Sequence, residues 1–143
     1  LIIRGIRTLD LRMDKHHENT LKVIKWLSKQ RKIVKILYPY KTSSKIYKLW
    51  KKYYSGASGL LSIIIKSKSK NSVYSFINSL KLFGIGYSWG GYSSLAVYND
   101  PIEMGDRRYF KIEKDHHLIR LHIGLEDTND LINDLKSALR RVK

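Results

Sequence analysis

The apolar run at residues 59–65, Gly-Leu-Leu-Ser-Ile-Ile-Ile, constrains the fold of this chain more than any other segment. It is the longest apolar run in the sequence, yet it is far shorter than the roughly 20 residues that an apolar helix needs to span a bilayer. Its consecutive isoleucines favour a β-strand, because β-branched side chains pack well on a pleated surface. The run therefore predicts a buried strand rather than a membrane span.

Hydrophobic periodicity on either side of this run predicts further strands and helices. Several connections are too short to hold the helix of a right-handed parallel crossover. We therefore expect an α+β domain with a small antiparallel or mixed β-sheet of about four strands, covered on one face by helices and preceded by a long N-terminal helix. Besides the run above, the predicted strands lie at 33–37, 95–97 and 118–124, and the predicted helices at 8–29, 44–53, 71–83 and 126–142.

The long helix at 8–29 is predicted to pack through one apolar face. Residues of that face recur at spacings of three and four, which is the period of an amphipathic helix. They are Met13, His17, Leu21, Ile24 and Leu27 or Ser28. The last helix is predicted to begin after an N-cap at Asp127, because an aspartate at that position accepts hydrogen bonds from free backbone N–H groups.

Length and cysteine content limit the classes of protein that this sequence can represent. A chain of 143 residues has the size of one domain. It has no cysteine, which excludes a disulfide framework, a thiolate metal site and a cysteine nucleophile, and makes the cytoplasm the default location. The adjacent pairs His16-His17 and His116-His117 have no well-spaced carboxylate to complete a ligand set, so we predict no metal site.

The net charge of +16 is concentrated in the first part of the chain. Residues 1–81 contain 19 Lys and Arg against 3 acidic residues, whereas residues 82–143 contain 9 of each. The segment KIYKLWKKYY at 45–54 mixes cations with aromatic rings, as in proteins that follow phosphates and stack on bases. However, the lysines are spread over every predicted element without a nucleic-acid-binding motif, which favours a compositional bias. A non-enzymatic basic module remains the alternative.

Four blocks of the sequence together resemble a known family. They are RGIRTLDLRMDKHHENTLKVIKWL, SGASGLLSIIIK, YSWGGYSSL and LIRLHIGLEDTNDLINDLKSAL, and they run essentially from end to end. Their order and spacing resemble the C-terminal part of the pyridoxal-phosphate enzymes of cysteine and methionine metabolism. Trp89 makes the chain similar to the cystathionine β-lyases within that family, since relatives that act on the γ-carbon usually have leucine there. Those relatives also tend to have Met-Thr-His after the following proline, where this chain has Met104 without Thr-His.

The resemblance implies a role in a larger enzyme. Residues 1–30 would form a long helix that links to a large pyridoxal-phosphate domain outside this sequence, and residues 31–143 would form the C-terminal small domain. The complete enzyme would be a cytoplasmic homotetramer that cleaves cystathionine to homocysteine, pyruvate and ammonia in methionine biosynthesis or transsulfuration. The Schiff-base lysine would lie upstream, so no catalytic residue is expected in this chain. An inactive gene remnant is a further alternative.

The resemblance also implies which residues bind the substrate. Arg120 matches the arginine that binds the α-carboxylate, where a planar guanidinium can pair both carboxylate oxygens. Ser88 and Trp89 match loop residues near the same carboxylate, and Tyr87 is a further candidate. Gly90 and Gly91 would let the backbone turn sharply after these residues. His122 shares the strand face of Arg120 and is expected beside it.

Overall fold

The computed structural model describes residues 2–40, 46–100 and 112–143, which contain both strands and helices. The strands are β1 (Ile33–Leu37), β2 (Leu60–Lys66), β3 (Gly84–Ile85), β4 (Leu95–Asn99) and β5 (His116–His122). The helices are α1 (Ile2–Arg7), α2 (Leu9–Leu27), α3 (Tyr47–Tyr53), α4 (Lys70–Asn78) and α5 (Thr128–Leu139). Residues 44–45 of the helix predicted at 44–53, and Met104, lie outside the described residues.

The strands of the described residues form one mixed sheet in the order β1-β2-β5-β4-β3. Neighbouring strands are antiparallel except for β3 and β4, which are parallel. The central strand β5 places Arg120 between Ser62 of β2 and Val97 of β4. The predicted small mixed sheet is confirmed. The additional strand β3 has two residues, too few to show a period in the sequence.

The hydrophobic core lies on one face of this sheet. Alternate residues of β2 and β5 point into it, and Ile63, Ile65, Ile119 and Leu121 are fully buried. They pack with the buried faces of α2, α4 and α5. The predicted arrangement of helices on one face is therefore confirmed, and Arg120 lies on the opposite side of β5 from Ile119 and Leu121.

The helical N-terminal segment is interrupted at Thr8. Helix α1 before Thr8 was not predicted, whereas the long helix predicted over residues 8–29 is confirmed by α2. Its buried face is rotated from the predicted one: Leu21 is 38% exposed, whereas polar residues are buried. The buried residues of α2 are His16, Asn19, Thr20, Val23, Ile24 and Leu27. A hydrophobicity pattern misses this face because the buried His16 and Asn19 bond to backbone carbonyl groups, which stabilises them in the interior.

Helix α4 is shorter than predicted and begins earlier. Ser69 is its N-cap, and the Ser69 side chain accepts a hydrogen bond from the Ser72 N–H. The helix ends at Asn78 instead of residue 83. The N–H groups of Lys81 and Leu82 donate to the buried carboxylate of Asp134 on α5, at 2.8–3.0 Å. These bonds replace the helical ones and join the end of α4 to α5.

Membrane insertion of a helix is not supported by the described part of the chain. None of the helices described there is both long enough and apolar enough to cross a bilayer.

Candidate substrate-carboxylate site

Arg120 connects the centre of the sheet with the glycine-rich segment. Its Nη2 donates to the backbone oxygen of Ser88 at 3.2 Å. Its guanidinium carbon lies 5.7 Å from the centre of the Tyr87 ring, within the range of a cation–π contact. The structure therefore brings Arg120, Ser88 and Tyr87 together as the resemblance implied, with the arginine half-buried on a rigid central strand.

Residues 87–92, called the site loop below, carry the other candidate side chains. Tyr87 and Trp89 are 69% and 62% exposed, and Ser88 is exposed as well. Directly after Trp89 the backbone takes the left-handed conformation at Gly90, with φ of +77°. A side chain at that position would be strained, so the predicted role of Gly90 in a sharp turn is confirmed. Gly91, for which the same role was predicted, does not have a positive φ, so that prediction is wrong.

Three basic side chains, two from β5 and one from α2, hold the carbonyl groups of the site loop. Besides Arg120 at Ser88, the Arg12 Nε donates to the Gly90 oxygen at 3.2 Å, and His122 contacts the Gly91 oxygen through Nε2 at 3.3 Å. His122 therefore lies beside the site, as expected, and contacts it through the backbone oxygen of Gly91. The sequence reasoning missed Arg12, because a backbone carbonyl that accepts a hydrogen bond leaves no signal in the sequence.

The end of the site loop is attached to the connection between β5 and α5. Leu125 donates its N–H to the Tyr92 oxygen at 2.8 Å. Next to it, the Glu126 carboxylate accepts the N–H of Ser94 at 2.7 Å and its hydroxyl at 2.8 Å. Asp127 is the N-cap of α5, as predicted, and accepts from two N–H groups of the first turn. One end of the loop is therefore attached to β5 through Arg120, and the other end to the connection that follows β5.

Two histidines meet beneath the site loop, and both are buried. The rings of His16 and His122 have their centroids 4.8 Å apart. A carbonyl only accepts, so His16 donates from Nδ1 to the Ile123 oxygen at 2.7 Å and His122 donates from Nε2 to Gly91. The opposite nitrogen of each ring has no hydrogen-bond partner among the described residues. Among the described residues, each ring is therefore held by a hydrogen bond through one nitrogen only.

Burial lowers the pKa of His122 below its ordinary value of 6.5. The hydrogen bond to the Gly91 carbonyl and the charge of Glu126 oppose this shift, whereas His16 and Arg120 add to it. Desolvation is the largest cause, since a buried imidazolium loses its hydration. The contact between His122 and the site loop is consequently made by a neutral ring at neutral pH.

Trp89 also borders a groove of about 1100 Å³ whose wall is rich in aromatic side chains. Trp50 of α3 is 8% exposed and stacks on Tyr47 and Tyr54, with Tyr40 edge-on. Three of the four aromatic residues of KIYKLWKKYY thus contact one another, although Tyr53 and Tyr54 are each 65% exposed. A separate group, Glu113, Asp115 and His116, has ligand atoms within 4.8 Å of one another, but acidic groups at a surface commonly occur without an ion.

Comparison with known proteins gives the family. The family model described as Cys/Met metabolism PLP-dependent enzyme matches residues 1–140. The chain therefore belongs to this family, whose cofactor is pyridoxal phosphate. It is 40% identical over 141 residues to cystathionine beta-lyase of Escherichia coli, covering 97% of this chain and 36% of that protein. It is 41% identical over 140 residues to an L-alanine/L-glutamate racemase of Wolbachia pipientis, covering 97% and 34%.

A solved structure shows the same fold. The chain is 33% identical to an O-acetylhomoserine (thiol)-lyase from Campylobacter jejuni, with a TM-score of 0.75, covering 95% of this chain and 30% of that one. That structure contains an N'-pyridoxyl-lysine-5'-monophosphate. The chain spans about a third of the length of the relatives that it matches.

The described residues suit a substrate carboxylate better than the cofactor itself. Linkage of pyridoxal phosphate requires a lysine amine. Among the described residues, no lysine side chain is hydrogen-bonded to Arg120 or to the site loop. Arg120 has five N–H donors, of which the described contacts use one. In the described ranges, the site therefore offers donors for an anion at this guanidinium and no lysine hydrogen-bonded to it that could anchor the cofactor.

Proposed function

We propose that this chain forms the substrate-carboxylate side of the active site of a pyridoxal-phosphate-dependent carbon–sulfur lyase that cleaves cystathionine to homocysteine, pyruvate and ammonia. The observation that carries the proposal is the position of Arg120. Arg120 is a half-buried residue of the central strand, and its guanidinium is oriented by the Ser88 carbonyl and the Tyr87 ring. The N–H groups that this contact does not use can pair both oxygens of an α-carboxylate.

The other residues of the site would hold the substrate around this ion pair. The Ser88 hydroxyl can bond to the substrate, and the Trp89 indole offers one N–H donor and a large apolar ring that excludes water. Fixing the carboxylate also fixes the remaining substituents of the α-carbon, which is how a positioned arginine lowers the barrier of a reaction that it does not perform. Lysine would supply the charge without this geometry.

The rest of the enzyme would supply the electron sink and the linking lysine. When bound, pyridoxal phosphate stabilises the negative charge that develops at the α-carbon after its proton is removed. We expect a large cofactor domain as the partner of this chain, with residues 1–30 as the link and residues 31–143 as the C-terminal small domain, in a homotetramer. A chain without cysteine is compatible with the cytoplasm, where methionine biosynthesis takes place.

The carboxylate site alone does not distinguish cleavage from racemisation, because both reactions begin from an α-amino acid held by its carboxylate. Trp89 supports cystathionine as the substrate, since it makes the site loop similar to that of the cystathionine β-lyases. The racemase of Wolbachia pipientis defines the competing activity.

A chimaeric enzyme tests the proposal. This chain is joined to the part of the E. coli cystathionine beta-lyase that it does not match, and the product is loaded with pyridoxal phosphate. We expect pyruvate release from cystathionine, measured by a coupled dehydrogenase assay, to exceed racemisation of L-alanine, measured by chiral chromatography. Racemisation without pyruvate release would contradict the proposal.

A further inference from the structure

We propose that Arg12 is a positioning residue of the site loop, which sets the backbone that orients Ser88 and Trp89. Arg12 lies on α2, outside the sheet that carries Arg120, and touches neither Ser88 nor Trp89 in the described hydrogen bonds. The consequence of the Arg12 contact for substrate binding rests on the proposed function, whereas the effect of Arg12 on the site loop is independent of that function.

One planar group of Arg12 joins three parts of the chain. Nε donates to the Gly90 oxygen at 3.2 Å, and Nη1 donates to the Gly5 oxygen at 3.0 Å and to the Thr8 hydroxyl. Gly5 belongs to α1, and Thr8 is the residue at which the N-terminal helix is interrupted. The guanidinium therefore fixes the site loop against the junction of α1 and α2. Arginine suits this position, because the directions of its N–H groups are fixed relative to one another.

Packing around the turn does not hold the site loop in place. A side-chain carbon added at Gly90 would meet no heavy atom within 4 Å, so the turn lies in open space. Trp89 is 62% exposed, and burial fixes its side chain only in part. The described hydrogen bonds to the backbone directly after Trp89 come from Arg12 at Gly90 and from His122 at Gly91. Removing the Arg12 contact should therefore release the left-handed turn and reorient Trp89.

Fluorine NMR of the 143-residue chain, labelled with 5-fluorotryptophan, measures this orientation directly. The chain has three tryptophans, Trp26, Trp50 and Trp89, and each gives one resonance. The resonance that disappears in Trp89→Phe is that of Trp89. In Arg12→Gln we expect the Trp89 resonance to shift and to narrow, while those of Trp26 and Trp50 stay in place. Arg7→Gln is the matched control, because Arg7 is an exposed arginine of the same N-terminal segment.

An unchanged Trp89 resonance in Arg12→Gln, with Trp26 and Trp50 at their folded positions, would overturn the proposal. If Arg12→Gln does not fold, Arg12→Lys is measured instead, since it keeps the charge and the aliphatic stem but lacks the fixed pair of donors. A shifted Trp89 resonance in that variant supports the proposal, and an unchanged one overturns it.

The chimaeric enzyme then connects the loop to the substrate. Because Arg12 acts through the carboxylate-binding loop, Arg12→Gln should raise KM for cystathionine by about ten-fold and change kcat much less. A parent chimaera without activity would contradict the proposed function and would leave the NMR result standing. An active chimaera whose KM is unaffected by Arg12→Gln would overturn the role of Arg12 in the site.

Discussion

Gly90 is the residue at which the backbone of the site departs from ordinary conformations. Its φ of +77° lies in the left-handed region, which side chains other than glycine disfavour by about 1–2 kcal/mol. The neighbouring Gly91 has no such conformation, and neither residue has an atom within 4 Å of an added side-chain carbon. A side chain added at Gly90 would therefore cause backbone strain, a side chain added at Gly91 would not, and neither would overlap another atom.

Alanine substitutions at these two glycines test this account. Gly90→Ala should lower the free energy of unfolding by about 1 kcal/mol, because only the strained conformation is affected. Gly91→Ala should leave it unchanged or raise it slightly, since alanine reduces the entropy of the unfolded chain. Urea denaturation gives both values. Equal losses in the two variants would show that the turn at Gly90 is not the strained point.

The buried His122 predicts a dependence of stability on pH. Its pKa is lowered below 6.5 in the folded chain and returns to 6.5 on unfolding. Below pH 6.5 the unfolded chain therefore binds more protons than the folded one, and the free energy of unfolding falls as the pH falls, by at most about 1.4 kcal/mol per pH unit for this group. Above pH 6.5 the contribution of His122 is fully present.

Urea denaturation between pH 7.5 and 5.5 measures this slope in the parent chain and in His122→Asn. We expect a smaller slope in the variant, because its side chain does not titrate. The pKa of His17 is lowered too, by burial, so part of the slope should remain. Identical slopes in the two chains would exclude His122 as the cause.

Polar contacts decide where the helices end. Asp134 on α5 is buried and accepts the N–H groups of Lys81 and Leu82, which follow α4. In Asp134→Asn one carboxylate oxygen becomes an NH2 group that faces these donors, which should lower the free energy of unfolding by about 2 kcal/mol. Asp130→Asn, at an exposed position of the same helix, should change it by less than about 0.5 kcal/mol. Thermal unfolding of both variants checks the difference, and equal midpoints would contradict it.

The sequence predicts elements that are marked by apolar periodicity, but it does not reveal those that depend on hydrogen bonds to distant backbone groups. Strands β1, β2 and β5 and helix α5 were predictable, because their apolar residues follow a clear period and Asp127 marks a helix start. The buried face of α2 was not, because His16 and Asn19 are stabilised there by carbonyl groups from the far end of the chain. In the site, Arg120 and the loop residues followed from the resemblance, whereas Arg12 acts on a backbone oxygen and could not be recognised.

At the scale of the whole molecule, the chain exposes surfaces that a larger enzyme would cover. Ile2, Ile3 and Ile6 of α1 are between 64% and 79% exposed, and they lie in the segment proposed to link to the cofactor domain. The chain also spans about a third of the length of its relatives. Both observations support the proposal that residues 1–143 complete an active site whose cofactor is bound elsewhere in the enzyme.

The kinetics of Arg120→Lys in the chimaeric enzyme test the central claim most directly. Loss of the paired, charge-assisted hydrogen bonds should lower kcat/KM for cystathionine by about 30- to 100-fold, which corresponds to about 2–3 kcal/mol. Arg140→Lys, an equally conservative change at an exposed position after α5, should leave kcat/KM within about two-fold of the parent. A kcat/KM for Arg120→Lys equal to that of Arg140→Lys would contradict the assignment of Arg120 to the substrate carboxylate.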